Sequence, residues 1–205
     1  WAVLATIAAK TETLRIATGV TCPSIRYHPA IVAQAAATLQ ILSDGRFTLG
    51  VGAGERLSER IVGQGWPEVG DRHARFREAL EIIRLLWSGG THSYRGEHLR
   101  LEDARVYDLP ETLPEIVVAA GGPQAASLAA ELGDGIFSTD PDASLVEAWT
   151  AAGGSGPRYA EAPTAFAADA RAGAEAAHRR FRFGALGWKV LAELPDPTAF
   201  DLFSS

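Results

Sequence analysis

The chain has 205 residues, 47% of them apolar and 21% charged, which suits one globular domain with a sizeable core rather than several domains. Its formal charge is −6 and its basic residues are almost all scattered arginines, which excludes a nucleic-acid surface. Cys22 is the only cysteine, which excludes an intrachain disulfide and a cysteine zinc site and makes a reducing cytoplasm the expected compartment.

Residues 1–9 are alanine-rich and read as the end of a helix. Leu14 to Val20 (LRIATGV) reads as a buried strand. His28 to Leu42 follows as a helix, with Pro29 suited to its first turn and His28 to its N-cap or to packing. Asp44-Gly45 marks a turn before the strand Arg46 to Gly52. Asp71 to Trp87 is an amphipathic helix, with Phe76, Leu80, Ile83 and Trp87 on one stripe. His92 to Tyr107 is mixed and polar around Arg95-Gly96, as an inserted hairpin would be. Glu115 to Ala120 is a third strand, Pro123 to Leu132 a helix, Gly135 to Thr139 a fourth strand, and 143–152 a short helix before the loop GGSGP. Beyond it, Ala165 to Phe183 looks helical, Pro195 and Pro197 mark an irregular tail, and no strand is evident; 153–205 is a less defined helical C-terminal part of the one domain, 1–205. No apolar run approaches the roughly 20 residues of a membrane span, so no membrane association is expected.

Strands and helices alternate, and the strands are continuously apolar, as in parallel α/β folds covered by helices. Such folds carry their sites at strand C-termini. Three strand ends draw the eye. Gly50-Val51-Gly52-Ala53-Gly54-Glu55 either brings backbone N–H groups up to a ligand or is an ordinary tight turn; it lacks the dinucleotide spacing. Ala119-Ala120-Gly121-Gly122-Pro123 opens a helix and is either a phosphate-binding terminus or a simple cap. Thr18 to Pro23 is either a close backbone approach or, more simply, a loop after a buried strand. Glu55 follows the glycines at a helix start. It is either a surface carboxylate matched to the helix dipole or, if buried against a flat cofactor, a proton-transfer group. His73, His92, His98 and His178 read as surface positions, and no two histidines have metal-ligand spacing, so no metal is expected.

Taken together, LRIATGVTCP, RYHPAIVAQAAATL, GRFTLGVGAGERLSE, WPEVGDRHARFREALEIIRLLW, VYDLPE, IVVAAGGPQAA, GDGIFST and GPRY resemble the luciferase-like monooxygenase superfamily, in its coenzyme F420-dependent glucose-6-phosphate dehydrogenase-like branch. A weaker echo lies in GWKVLAELPDPTAF. The resemblance implies a (β/α)8 TIM barrel, a homodimer, and hydride transfer between the 8-hydroxy-5-deazaflavin F420 and a small organic substrate. An FMN-dependent monooxygenase of the same fold is the alternative. By the same resemblance, Gly19-Val20 matches the backbone under the deazaflavin, where a non-proline cis peptide is usual, and Cys22 falls at a cofactor-contacting Thr. Ala53 and Gly54 match the ring-binding loop, Glu55 its acid/base glutamate, and Ser58 a cofactor-contacting Asn. Gly121, Gly122, Gln124 and Ala125 match the loop around the ribityl-phosphate arm, and Thr139 a substrate-contacting Thr. Asp142 stands where a phosphate-binding Lys is expected, which argues against a sugar-phosphate substrate.

The chain lacks methionine and opens on Trp1-Ala2-Val3-Leu4. Four clear strands are too few for an eight-stranded barrel. The expectation is that the first strands and an active-site histidine lie upstream of Trp1, so that residues 1–205 alone would be a cofactor-binding fragment that does not catalyse.

Overall fold

A computed structural model describes residues 1–204. Helix α1 (Ala2–Lys10) leads to strand β1 (Ile16–Ala17). Arg46 finishes α1: its guanidinium donates to the carbonyls of Ala8 (3.1 Å) and Thr11 (2.7 Å), so a cation meets the negative helix end. Strand β1 is shorter than the sequence suggests. Leu14 is exposed, the Thr18 hydroxyl donates to the Gly50 carbonyl (2.7 Å), and residues 19 and 20 loop out before Thr21 rejoins beside Val51.

Helix α2 (Pro29–Leu42) starts as expected. His28 Nδ1 accepts from Ala30 N–H at 3.2 Å, and Pro29 occupies the first turn, where a missing N–H costs nothing. The helix ends in a turn with Asp44 and Gly45 at φ 51° and 79°, and strand β2 (Phe47–Val51) follows. Gln40 clips helix to strand: its amide accepts from Phe47 N–H (3.1 Å) and donates to the Thr112 carbonyl (3.0 Å). A short helix α3 (Arg56–Glu59) and a 3-10 turn (Arg60–Val62) precede α4 (Val69–Trp87). The apolar stripe of α4 is buried, and Trp87 Nε1–H donates to the Ala33 carbonyl of α2 at 3.0 Å. The polar segment after it is a hairpin, β3 (His92–Arg95) antiparallel to β4 (Arg100–Ala104), whose turn N–H groups are gathered by the Glu78 carboxylate.

Strand β5 (Glu115–Ala120), α5 (Pro123–Leu132), β6 (Gly135–Ser138) and α6 (Ala143–Ala151) complete the alternation. Next comes β7 (Arg158–Ala160), which the sequence does not reveal. All three of its residues are exposed, so no apolar run marks it; the Pro157 carbonyl receives Ile136 N–H (3.1 Å) and starts the pairing. The main sheet is therefore five parallel strands in the order β1-β2-β5-β6-β7, with β7 the fifth where four were expected. This is an open part of an α/β barrel, its helices packed on one side around a core of Val32, Leu49, Ile83, Ile116, Val118 and Ile136. Helices α7 (Ala170–Phe181), α8 (Trp188–Leu191) and α9 (Pro197–Ser204) follow, with a 3-10 turn (Arg182–Leu186) between the first two. Helix α7 begins five residues later than expected, and the proline-rich tail is helical rather than irregular because Pro197 sits where a helix tolerates proline. Among the described residues, no helix is long and apolar enough to cross a membrane.

Candidate functional site

Parallel strands end on the same side, so the loops after β1, β2, β5 and β6 converge. They line a cavity of about 570 Å³. From the β1 loop come Gly19, Val20 and Cys22; from the β2 loop Ala53, Gly54, Glu55 and Ser58; from the β5 loop Gly121, Gly122, Gln124 and Ala125; from the end of β6, Thr139. Every site residue singled out in the sequence thus meets in one place.

The backbone itself forms much of the wall. The Gly19-Val20 peptide bond is cis. Gly54 has φ +92°, and a Cβ there would lie 2.9 Å from Cys22 Sγ and 3.0 Å from Glu59 Cγ. A side chain at Gly121 would overlap the Trp188 ring. Beside it, Thr139 Oγ1 is buried without a hydrogen-bond partner among the described residues. A buried hydroxyl with no partner calls for an explanation, and a ligand group is one. Gly122 caps α5 without any side-chain bond, which leaves the first N–H groups of that helix for whatever enters the cavity.

Glu55 is half-buried, at the N-cap position of α3, yet its carboxylate makes no capping bond. Burial first, and then the nearby carboxylates of Glu59 and Glu161, push its pKa up. Glu59, only 2% exposed, is a buried acid that sequence reasoning missed; its spacing four residues after Glu55 was the available signal. Its carboxylate accepts from Arg26 N–H at 2.9 Å and faces the Arg26 guanidinium at 4.0 Å. Burial and Glu59 also push the Cys22 thiol up, so Cys22 packs beneath the loop as a neutral thiol.

Helix α4 adds Arg72 and His73. His73 is not a surface residue as its sequence context suggested. It lines the cavity, and burial, followed by the Arg72 charge, pushes its pKa down. Arg72 continues the stripe of Phe76 and Leu80 one turn earlier, a signal masked by its charge. The C-terminal segment contributes Trp188, Lys189, Ala192 and Glu193, which lie in the weaker echo GWKVLAELPDPTAF but were not singled out there as site residues. Asp142, by contrast, is not a cavity residue. It caps α6, accepting from Ser144 N–H (2.8 Å) and Ser144 Oγ–H (2.7 Å), and these bonds hold its carboxyl low.

Comparison with known proteins fits this geometry. Residues 1–190 match the luciferase-like monooxygenase family model. Over 135 residues the chain is 47% identical to an F420-dependent hydroxymycolic acid dehydrogenase of Mycobacterium tuberculosis, covering 66% of this chain and 38% of that protein. It is 45% identical over 134 residues to an F420-dependent glucose-6-phosphate dehydrogenase of Amycolatopsis mediterranei, covering 65% and 40%. The matched stretch thus spans about two fifths of these relatives' length. Among solved structures, an F420-dependent secondary alcohol dehydrogenase in complex with an F420-acetone adduct superposes over 100% of this chain and 66% of its own, with TM-score 0.90 and 27% identity. An F420-dependent tetrahydromethanopterin reductase from Methanopyrus kandleri shares the fold at TM-score 0.76 and 24% identity, covering 96% of this chain and 64% of its own.

Proposed function

The chain belongs to the luciferase-like monooxygenase family, and from that premise we propose that the protein is an oxidoreductase that binds coenzyme F420 and passes a hydride between it and a small organic substrate. The observation that carries this reading is the convergence on one cavity of two glycine turns, the Gly19-Val20 segment and Glu55, whose pKa burial and neighbouring acids push up. The residues fit a flat anionic coenzyme: a Cβ at Gly19 or Gly122 would project into open space, so these glycines leave the cavity wall bare, and Thr139 Oγ1 lacks a partner among the described residues. Gly121 and Gly122 would hold the phosphate arm at the start of α5, and Gly19, Val20, Ala53 and Gly54 would hold the ring. When bound, the coenzyme supplies a carbon that accepts or donates hydride. Glu55 would hold the accompanying proton, and the half-buried Trp188 ring lies against Gly121 at the cavity wall. The buried free thiol of Cys22 agrees with a reducing cytoplasm as its place.

F420 fluorescence is expected to change on titration with the protein, at concentrations in the micromolar range. No change there, together with tight FMN binding, would give the site to a flavin instead.

We further propose that the substrate is not a sugar phosphate. Asp142 does not decide this, because its charge is spent on capping α6. The cavity's cations support it. Arg72 is engaged by Glu193 at 2.7 Å, and Arg26 faces Glu59 at 4.0 Å. Lys189 alone is left without an ion-pair partner among the described residues, too little for a phosphate dianion beside Glu161. The expected result is turnover of a small uncharged alcohol or carbonyl compound and none of glucose 6-phosphate; robust oxidation of glucose 6-phosphate would refute it.

A further inference from the structure

The wall formed by the C-terminal segment is fastened differently from the rest of the cavity. Of residues 161–204, only Ala192 and Leu194 are buried. The rest of this stretch packs mainly on itself, through the Phe181, Phe183 and Phe200 rings, so its attachment to the barrel has few sources and its local opening costs little. Ala192 accepts Arg56 N–H through its carbonyl at 2.9 Å. The other fastening is one carboxylate. Glu193 Oε1 receives Arg72 Nη2–H at 2.7 Å, and Oε2 receives Trp66 Nε1–H at 2.6 Å.

The receiving half also has contacts outside the C-terminal segment. Arg72 is 7% exposed, donates to the Pro67 carbonyl at 2.9 Å, and lies over the Trp66 ring at 4.2 Å. Its guanidinium is therefore held toward Glu193 by contacts outside the segment, and charge-assisted hydrogen bonds are the strong ones. Burial raises the Glu193 pKa, but the bonds from Arg72 and Trp66 outweigh it and hold the carboxyl low, so Glu193 is ionised when docked.

We propose that Glu193 is a positioning residue that latches residues 188–194 over the cavity, making Trp188 and Lys189 a wall that closes on a bound coenzyme and releases it when the latch opens. This rests on the reading that the cavity takes F420, and the test separates the two.

Lys189 lies within the latched segment and is one of only two lysines in residues 1–205, the other being Lys10. A lysine-specific protease therefore reports directly on opening. In Glu193→Ala, cleavage after Lys189 is expected to rise about tenfold or more, with cleavage after Lys10 unchanged. In stopped-flow, F420 release should quicken by about 10- to 100-fold while association changes little, as for loss of charged hydrogen bonds to a half-exposed carboxylate. Glu193→Gln, which keeps the shape and the acceptor for Trp66, should fall between. Glu147→Gln, an exposed α6 carboxylate away from the cavity, should behave as wild type. Cleavage after Lys189 unchanged in Glu193→Ala, or rising in step with Lys10 as general unfolding would make it, overturns the latch. If F420 does not bind at all, the cofactor reading fails and the protease result alone decides the latch.

Discussion

Glutamine in place of Glu55 is expected to lower kcat by about 10²–10⁴-fold, the usual contribution of a positioned proton-transfer group, while F420 affinity stays within about threefold. The geometry separates this role from the bland one. A carboxylate at a helix start is ordinarily worth about 0.3–1 kcal/mol through the dipole. Glu55, however, heads a helix of four residues and makes no capping bond, so little dipole stabilisation is in play. Instead it is half-buried among other acids, Glu59 and Glu161, which favour its neutral form. The sign is fixed by that direction. Because the pKa is raised, the acid form persists to higher pH than for a free carboxyl, and the reaction direction that needs a proton from Glu55 should decline as pH rises through the raised value. Glu55→Gln keeps the shape and a hydrogen-bond donor but exchanges no proton, so the variant should lose that limb of the pH profile. Steady-state kinetics across pH test both points. A kcat within threefold of wild type, or an unchanged profile, would sink the catalytic role.

The second large effect is expected at Gly54, where alanine should weaken F420 binding by about 100-fold and lower the urea midpoint. Two costs add. At φ +92° a side chain is strained by about 1–2 kcal/mol. The new methyl would also press on Cys22 Sγ and Glu59 Cγ, at 2.9 and 3.0 Å. Neither neighbour gives way easily. Cys22 is 5% exposed and Glu59 2%, and Glu59 is held by the Arg26 N–H. Overpacking of this kind typically costs about 1–3 kcal/mol. The loop is the softer party, and it carries Ala53 and Glu55, so relief of the clash moves the cavity wall. Fluorescence titration and urea melts read the two consequences separately. Wild-type affinity together with a wild-type midpoint would show that the loop accommodates a side chain.

The glycine turns, the strand ends and nearly every element up to residue 151 were legible because each announces itself locally: EIVVAA is an apolar run, Phe76-Leu80-Ile83-Trp87 a helical stripe, His28-Pro29 a helix start. All twelve residues chosen for the site line one cavity, since loops after parallel strands have no other place to go. What stayed hidden was held by tertiary contact. Strand β7 is exposed on every residue and exists because β6 offers it an edge. Arg72 and Glu193 are 121 residues apart and gain meaning only as a pair. His73 reads as surface because its neighbours are charged, and it faces the cavity only because α4 turns that face toward the loops.

Helix α2 is pinned along its whole length: His28 Nε2 to the Arg100 carbonyl (3.0 Å) at one end, Ala33 to Trp87 (3.0 Å) in the middle, and Gln40 to Thr112 and Phe47 at the other. Alanines at 33, 36 and 37, fully buried, bring the facing helix α4 close enough for the middle bond to form. A rod fixed at three points can neither slide nor roll. It acts as a splint, tying the hairpin, the second strand and the long helix into one stiff plate. Low-frequency bending of the molecule must then run around this plate rather than through it, and slow amide hydrogen exchange should trace its outline, from residue 32 through the buried turns of α4.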